Sequence, residues 1–146
     1  MNLLNPALIA LTIAHAANGY ESASRGPMTW PMAFLIPPIV LHRPTRASLP
    51  RDTRTHFATW TSRHPLLVAG FPRRAEAMTE LTREGFRLGL RTRQLVLNGG
   101  FVIATSLTNP PPGELAQLLK ASALIGRWLA RLNQPSTVFA LLGVTP

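Results

Sequence analysis

The chain has 146 residues, no cysteine, 46% hydrophobic and 14% charged residues, and a formal net charge of +9. That length suits one domain, 1–146, able to build its own core, and the missing cysteines exclude disulfides and thiolate metal sites while allowing a cytoplasmic location. Charge this sparse, against ~25% in a typical soluble domain, implies that part of the apolar surface meets a partner rather than water.

The cations are fourteen arginines and one lysine. Such an excess suits nucleic acid, an anionic membrane or an acidic protein surface, but a GC-rich genome would produce the same bias, and both readings stay open. At the N-terminus, Asn5-Pro6 is a helix start, with Asn as cap and Pro in the first turn. Leu8, Leu11 and His15 share a stripe, and Gly19 reads as the stop. Ala14-His15-Ala16 after the apolar run imitates a signal-peptide cleavage site. No Lys or Arg precedes that run and Pro6 interrupts its start, so export is not expected. "MTWPMAFLIPPIVL" is too short and too broken by Pro31, Pro37 and Pro38 to span a bilayer; no membrane partner is expected.

Glu21 to Met28 reads as a loop. Pro31 opens a second helix through Phe34 and Leu35, which Pro37-Pro38 must kink or end. "LHRPTRASLPRDTR" is a proline-punctuated basic connector. Its Arg43, Arg46, Arg51 and Arg54 either grip phosphates or acidic side chains or are idle loop charges. A third helix is expected over Thr53 to Arg63, with Phe57 and Trp60 on one side. A long helix follows Gly70-Phe71-Pro72, with Ala75, Met78, Leu81, Gly85, Phe86, Leu88 and Gly89 on one face at 3.6-residue spacing. Glu76, Glu80 and Glu84, interleaved with Arg73, Arg83 and Arg87, form its solvated face.

"TRQLVLNGGFVIAT" then places Asn98-Gly99-Gly100 between two apolar runs. A phosphate loop would need a following Lys, a hydroxyl and a helix start, none of which is present, so the segment reads as a β-hairpin. Its strands are apolar on both faces. One face must pack on the domain, and the other needs cover from the proline-rich segment or a partner. Further helices are expected from Glu114 to Leu132 and from Pro135 through Val138, Phe139 and Leu142. Three helices followed by a hairpin is winged-helix order. The expected fold is mainly α with a β-hairpin, a winged helix-turn-helix-like core with N- and C-terminal helical extensions.

No arrangement of residues for catalysis is present. His15, His42, His56 and His64 lack metal-ligand spacing, and no GxSxG or SxxK occurs, so a non-enzymatic chain without a cofactor is expected. Arg87, Arg91 and Arg93 are the candidate nucleic-acid contacts, at the end of the long helix and the base of the hairpin, although the glutamates beside them repel phosphates and the helix dipole alone accounts for cations there. The helix from Glu114 to Leu132 is apolar nearly all round, with Gln117, Lys120, Arg127 and Arg131 in a narrow polar wedge. Trp128 at its edge is either buried or meets another subunit.

"NPALIALTIAHAANGY", "IPPIVLHRPTR", "GFPRRAEAMTELTREG" and above all "GRWLARLNQPSTVFALLGVTP" resemble the middle component of bacterial three-component ABC-ATPase systems, over nearly the whole chain. The resemblance implies an adaptor in prokaryotic conflict or anti-phage systems, working beside an SMC-like ABC ATPase subunit and an effector subunit, with DNA contact possible through the complex. It marks Pro38 to Arg46, Gly70 to Arg73, Arg127, Trp128 and Phe139 to Gly143 as structural or partner-contact positions. His42, Arg43, Arg46, Phe71, Arg127, Trp128 and Phe139 are the candidate partner-binding residues among them.

Overall fold

A computed structural model describes residues 5–24, 26–107, 109–132 and 135–143, the side chains of 135–138 excepted. The elements are α1 Pro6–Ala23, β1 Met28–Thr29, α2 Trp30–Ala33, α3 Ile36–Val40, α4 Arg43–Ser48, α5 Phe57–Arg63, α6 Pro65–Ala77, α7 Thr79–Arg91, β2 Leu95–Asn98, β3 Phe101–Ala104, α8 Glu114–Ala130 and α9 Pro135–Leu142. The protein is thus mostly helical with a small antiparallel sheet.

Helix α1 begins as its first residues dictate: Pro6 occupies the first turn, and the Asn5 side chain accepts from the Ala7 amide at 2.8 Å. It is buried on most sides, with Ile9, Ile13, Ala14 and Ala16 fully enclosed, and packs against both α7 and α8. Gly19, expected to end it, instead lies mid-helix. A Cβ there would sit 2.4 Å from the Ala123 carbonyl oxygen of α8, and one on Gly126 would sit 2.0 Å from the Ala16 oxygen of α1. The two helices touch main chain to main chain, and glycine at both crossings is a packing requirement. Gly85 of α7 plays a similar part, facing Ile9 and the Pro6 carbonyl.

Several expected boundaries move. The supposed loop from Glu21 holds the last turn of α1 and then β1. Pro37 and Pro38 do break the helical path, and then serve as the first turn of α3, where a missing amide donor is harmless. Likewise Pro44 starts α4 inside the supposed connector. Helix α5 starts at Phe57 rather than Thr53, and the long helix is two, broken at Met78. Each half answers to different neighbours: α6 packs on α3 and α9, and α7 on α1 and β2. The glutamate row is divided with it, Glu76 falling on α6 and Glu80 and Glu84 on α7.

The hairpin forms at the expected place. Gly99 and Gly100 have φ of +58° and +86°, the left-handed backbone that both central residues of a type I′ turn require. Strand β3 is central, with β2 on one side and β1 on the other, pairing Met28 and Leu97 with Val102 and Leu95 with Ala104. Met28, Leu95 and Val102 face inward and are at most 1% exposed. Val96 and Phe101, on the opposite face, are 41% and 42% exposed.

Candidate functional site

A cleft of about 1120 Å³ lies between α4 with its following Leu49-Pro50-Arg51 and one face of α8. Helix α4 is held rigidly at several points. The Arg46 Nη1 donates to the Val40 carbonyl, Thr45 is buried beneath Arg74 of α6 (Nη2 to Oγ1, 3.4 Å), and the Trp60 indole donates to the Ser48 carbonyl at 3.1 Å. His42 shares a 2.7 Å hydrogen bond with Thr45 Oγ1. Burial, and secondarily the Arg74 guanidinium, hold His42 below the ordinary histidine range. The His42 ring joins the start of α4 to Thr45 one turn on.

Across the cleft, Gln117, Lys120, Ala121, Leu124 and Arg127 recur at helical spacing on α8. Arg43, Arg46, Arg51, Lys120 and Arg127 thus line one cleft, with Glu114 at the end of it where α8 begins, above an apolar floor of Leu49, Pro50 and Leu124. Both Arg43 and Arg46 converge on Glu114 Oε1, at 3.5 and 3.8 Å. Among the described residues, Arg51, Lys120 and Arg127 make no ion pair. Three of the sequence-derived partner residues, Arg43, Arg46 and Arg127, meet here with His42 behind them.

The other three sit in the core. Phe71, Trp128 and Phe139 are 2%, 1% and 6% exposed. Trp128 packs edge-on against Phe57 (5.3 Å) and tilted against Trp60 (5.8 Å), and its indole donates to the Thr55 carbonyl at 2.7 Å. Of the two readings of Trp128, burial is the one realised. Arg131, one turn on, donates to the Thr53 carbonyl at 3.0 Å and so fastens the segment before α5 to α8.

Arg87, Arg91 and Arg93 are exposed at the end of α7 and the base of the hairpin. Glu80 and Glu84 are exposed on the same helix, with Glu80 paired to Arg83. Arg93 takes the left-handed conformation, φ +60°, that closes α7. The hairpin tip itself has no charge, and Leu97 and Phe101 beside it are 47% and 42% exposed. Trp30, 47% exposed, donates its backbone amide to Gly100 and packs edge-on against Phe34. A second, more apolar groove of about 680 Å³ lies below Trp30, lined also by Pro31, Phe34, Pro72, Ala75 and Phe139.

Among the described residues no three His, Asp or Glu gather as a metal site, and no helix is long and apolar enough to cross a membrane. The family model of the ABC-three component (ABC-3C) system Middle Component 3 matches residues 1–146. The chain belongs to that family. No curated protein and no solved structure matches it.

Within this Middle Component 3 chain the segments that carry the resemblance have distinct physical duties. In Gly126-Arg127-Trp128, the glycine permits the α1 crossing, the arginine lines the cleft and the tryptophan fills the core. Asn133, Gln134 and the last three residues of that motif lie outside the described residues. Lys120, Arg51 and Glu114 complete the cleft but are absent from the sequence-derived partner list. Their only sequence signal is the polar wedge of α8 and the connector charges, which nothing local joins.

Proposed function

We propose that this Middle Component 3 chain is a non-enzymatic, cytoplasmic adaptor that couples an SMC-like ABC ATPase subunit to an effector subunit in a prokaryotic defence system. The observation that carries the reading is two chemically different open surfaces on one body. One is the basic cleft of α4 and α8; the other is the set of exposed apolar side chains at the hairpin, Val96, Leu97 and Phe101, with Trp30 beside its turn. An adaptor needs two such surfaces, and exposed apolar area of this kind marks a partner site. The single carboxylate of the cleft is engaged by two arginines, which does not suit acid–base catalysis. Co-expression with the ATPase and effector subunits of the same system, followed by size-exclusion chromatography, tests it. A ternary complex that falls apart when this chain is omitted is expected. Elution of the chain alone as a monodisperse species would overturn the adaptor reading.

A second reading, a free-standing winged-helix regulator of DNA, draws on topology. A helix, a strand, further helices and a hairpin, with the first strand beside the last, support a winged-helix-like core in which α7 would meet the groove. Exposed Glu80 and Glu84 on α7 and the uncharged tip favour the adaptor instead. Salt-sensitive duplex binding abolished by alanine at Arg87, Arg91 and Arg93 would reverse that preference.

A further inference from the structure

We propose that the cleft between α4 and α8 receives a short acidic segment of a partner subunit, one that carries apolar side chains beside its carboxylates. The proposal rests on the adaptor reading and names the chemistry of one of its two contacts. Charge complementarity argues it first. Five cations and one carboxylate line the cleft, and Arg51, Lys120 and Arg127 stand without a counter-charge among the described residues. Glu114 shows how the site takes an acid, since two guanidinium groups from α4 converge on one of its oxygens.

The floor decides between kinds of polyanion. Leu49, Pro50 and Leu124 form an apolar base between the charged walls. A duplex offers mainly phosphates and sugars to such a floor, while a single strand is held by stacking on aromatic side chains, and among the described residues no aromatic one lines the cleft. A peptide satisfies both parts at once. Lys120 and Arg127 stand seven residues apart on α8, ~10.5 Å along the axis at 1.5 Å per residue. Carboxylates three residues apart on a polyproline-II segment, with three residues per turn at ~3.1 Å each, lie on one side of it and span ~9.3 Å, nearly the same distance. Because α4 is pinned by Arg46, Thr45 and Ser48, the walls are set before binding, and little ordering is needed to dock.

The test replaces Arg51, Lys120 and Arg127 together with Glu and co-expresses the triple variant with the ATPase and effector subunits. These residues lie on the cleft surface, so an unchanged melting temperature is expected, and it verifies the fold. The variant should lose one subunit, with binding weaker on the order of tenfold or more, and keep the other. Retention of both subunits at wild-type strength overturns the cleft proposal and leaves the adaptor reading standing. If the wild-type chain binds neither subunit, the adaptor reading falls. The cleft is then judged by fluorescence anisotropy with a short labelled peptide carrying Glu at every third position and Leu between, the same peptide with Ser for Leu, a DNA duplex and a DNA single strand. Salt-sensitive binding of the Leu peptide alone, lost in the triple variant, sustains the proposal; equal or tighter binding of either DNA or of the Ser peptide overturns it.

Discussion

Replacing Gly126 with Ala adds one methyl group at the point where α8 crosses α1. In an open stretch of helix the change would stabilise the protein by about 0.8–1.0 kcal/mol, because glycine is the poorer helix former. Here the new Cβ falls 2.0 Å from the Ala16 carbonyl oxygen, with Ala16 C at 2.8 Å and Cα at 3.0 Å. A carbon rests at ~3.3 Å from a carbonyl oxygen, so the helices must part by more than 1 Å. No rotamer relieves the clash, since both partners are backbone. A gap of 0.5–1 Å already forfeits a quarter to a half of each contact's dispersion well. The α1–α8 contact is the most extensive in the molecule, so we expect a net loss of about 2–3 kcal/mol, within the range for overpacked cores. At ~2–4 °C per kcal/mol this is a drop in Tm of about 4–12 °C. Gly70→Ala in α6 is the internal control. The nearest atom to its Cβ is the end of the Arg74 side chain, and displacing it costs only that group's hydrogen bonds to Leu67 and Thr45, so a loss of no more than about 1 kcal/mol is expected. Urea denaturation of both variants decides the matter: a Gly126→Ala protein as stable as wild type would refute the main-chain contact.

Three further outcomes are expected. Trp128→Phe removes the hydrogen bond to the Thr55 carbonyl and leaves a void in the cluster with Phe57 and Trp60; a loss of about 2–4 kcal/mol is expected by denaturant titration. Burial lowers the pKa of His15 from 6.5, and among the described residues its Nε2 atom has no hydrogen-bond partner. The folded state therefore holds fewer protons than the unfolded chain just below pH 6.5. Stability is full above that value and falls as the pH drops through it toward the lowered folded pKa, with His42 adding a slope of the same sign. Melting at pH 7.5 and 5.5 should show the fall, and His15→Leu should flatten it; an unchanged slope would assign it elsewhere. Arg93→Gly relieves a left-handed residue and should leave stability equal or raise it by about 0.5 kcal/mol, so a clear drop in Tm would mean that the arginine side chain holds the hairpin base.

How far the sequence could be read depends on whether the cause of each feature is local. Asn5-Pro6 announces α1, Asn98-Gly99-Gly100 announces the turn, and the apolar periodicity of α8 is plain over seventeen residues. Each rests on neighbours within one or two turns. Strand β1 has two residues and no period of its own; it exists because the free edge of β3 lies beside it. Gly19 shows the ambiguity well, because a helix-ending glycine and a helix-crossing glycine look alike until the other helix is in place. Pro44 in the first turn of α4 was a start signal masked by the prolines around it. The cleft was legible only as two unconnected sets of cations, one near residues 43–51 and one near 120–127. Helix α8, packed on α1 from behind, brings the second set opposite the first.

The crossing of α1 and α8 also has a mechanical consequence. Most packed helices are separated by side chains that change rotamer under load, and that layer acts as padding. At Gly19 and Gly126 there is no padding. The backbone of α8, whose other side lines the cleft, therefore lies directly on that of α1. Helix α1 in turn packs on α7 and on β3, the central strand of the sheet. The basic cleft and the apolar hairpin are thus built on elements that share one helix, α1, as their common support.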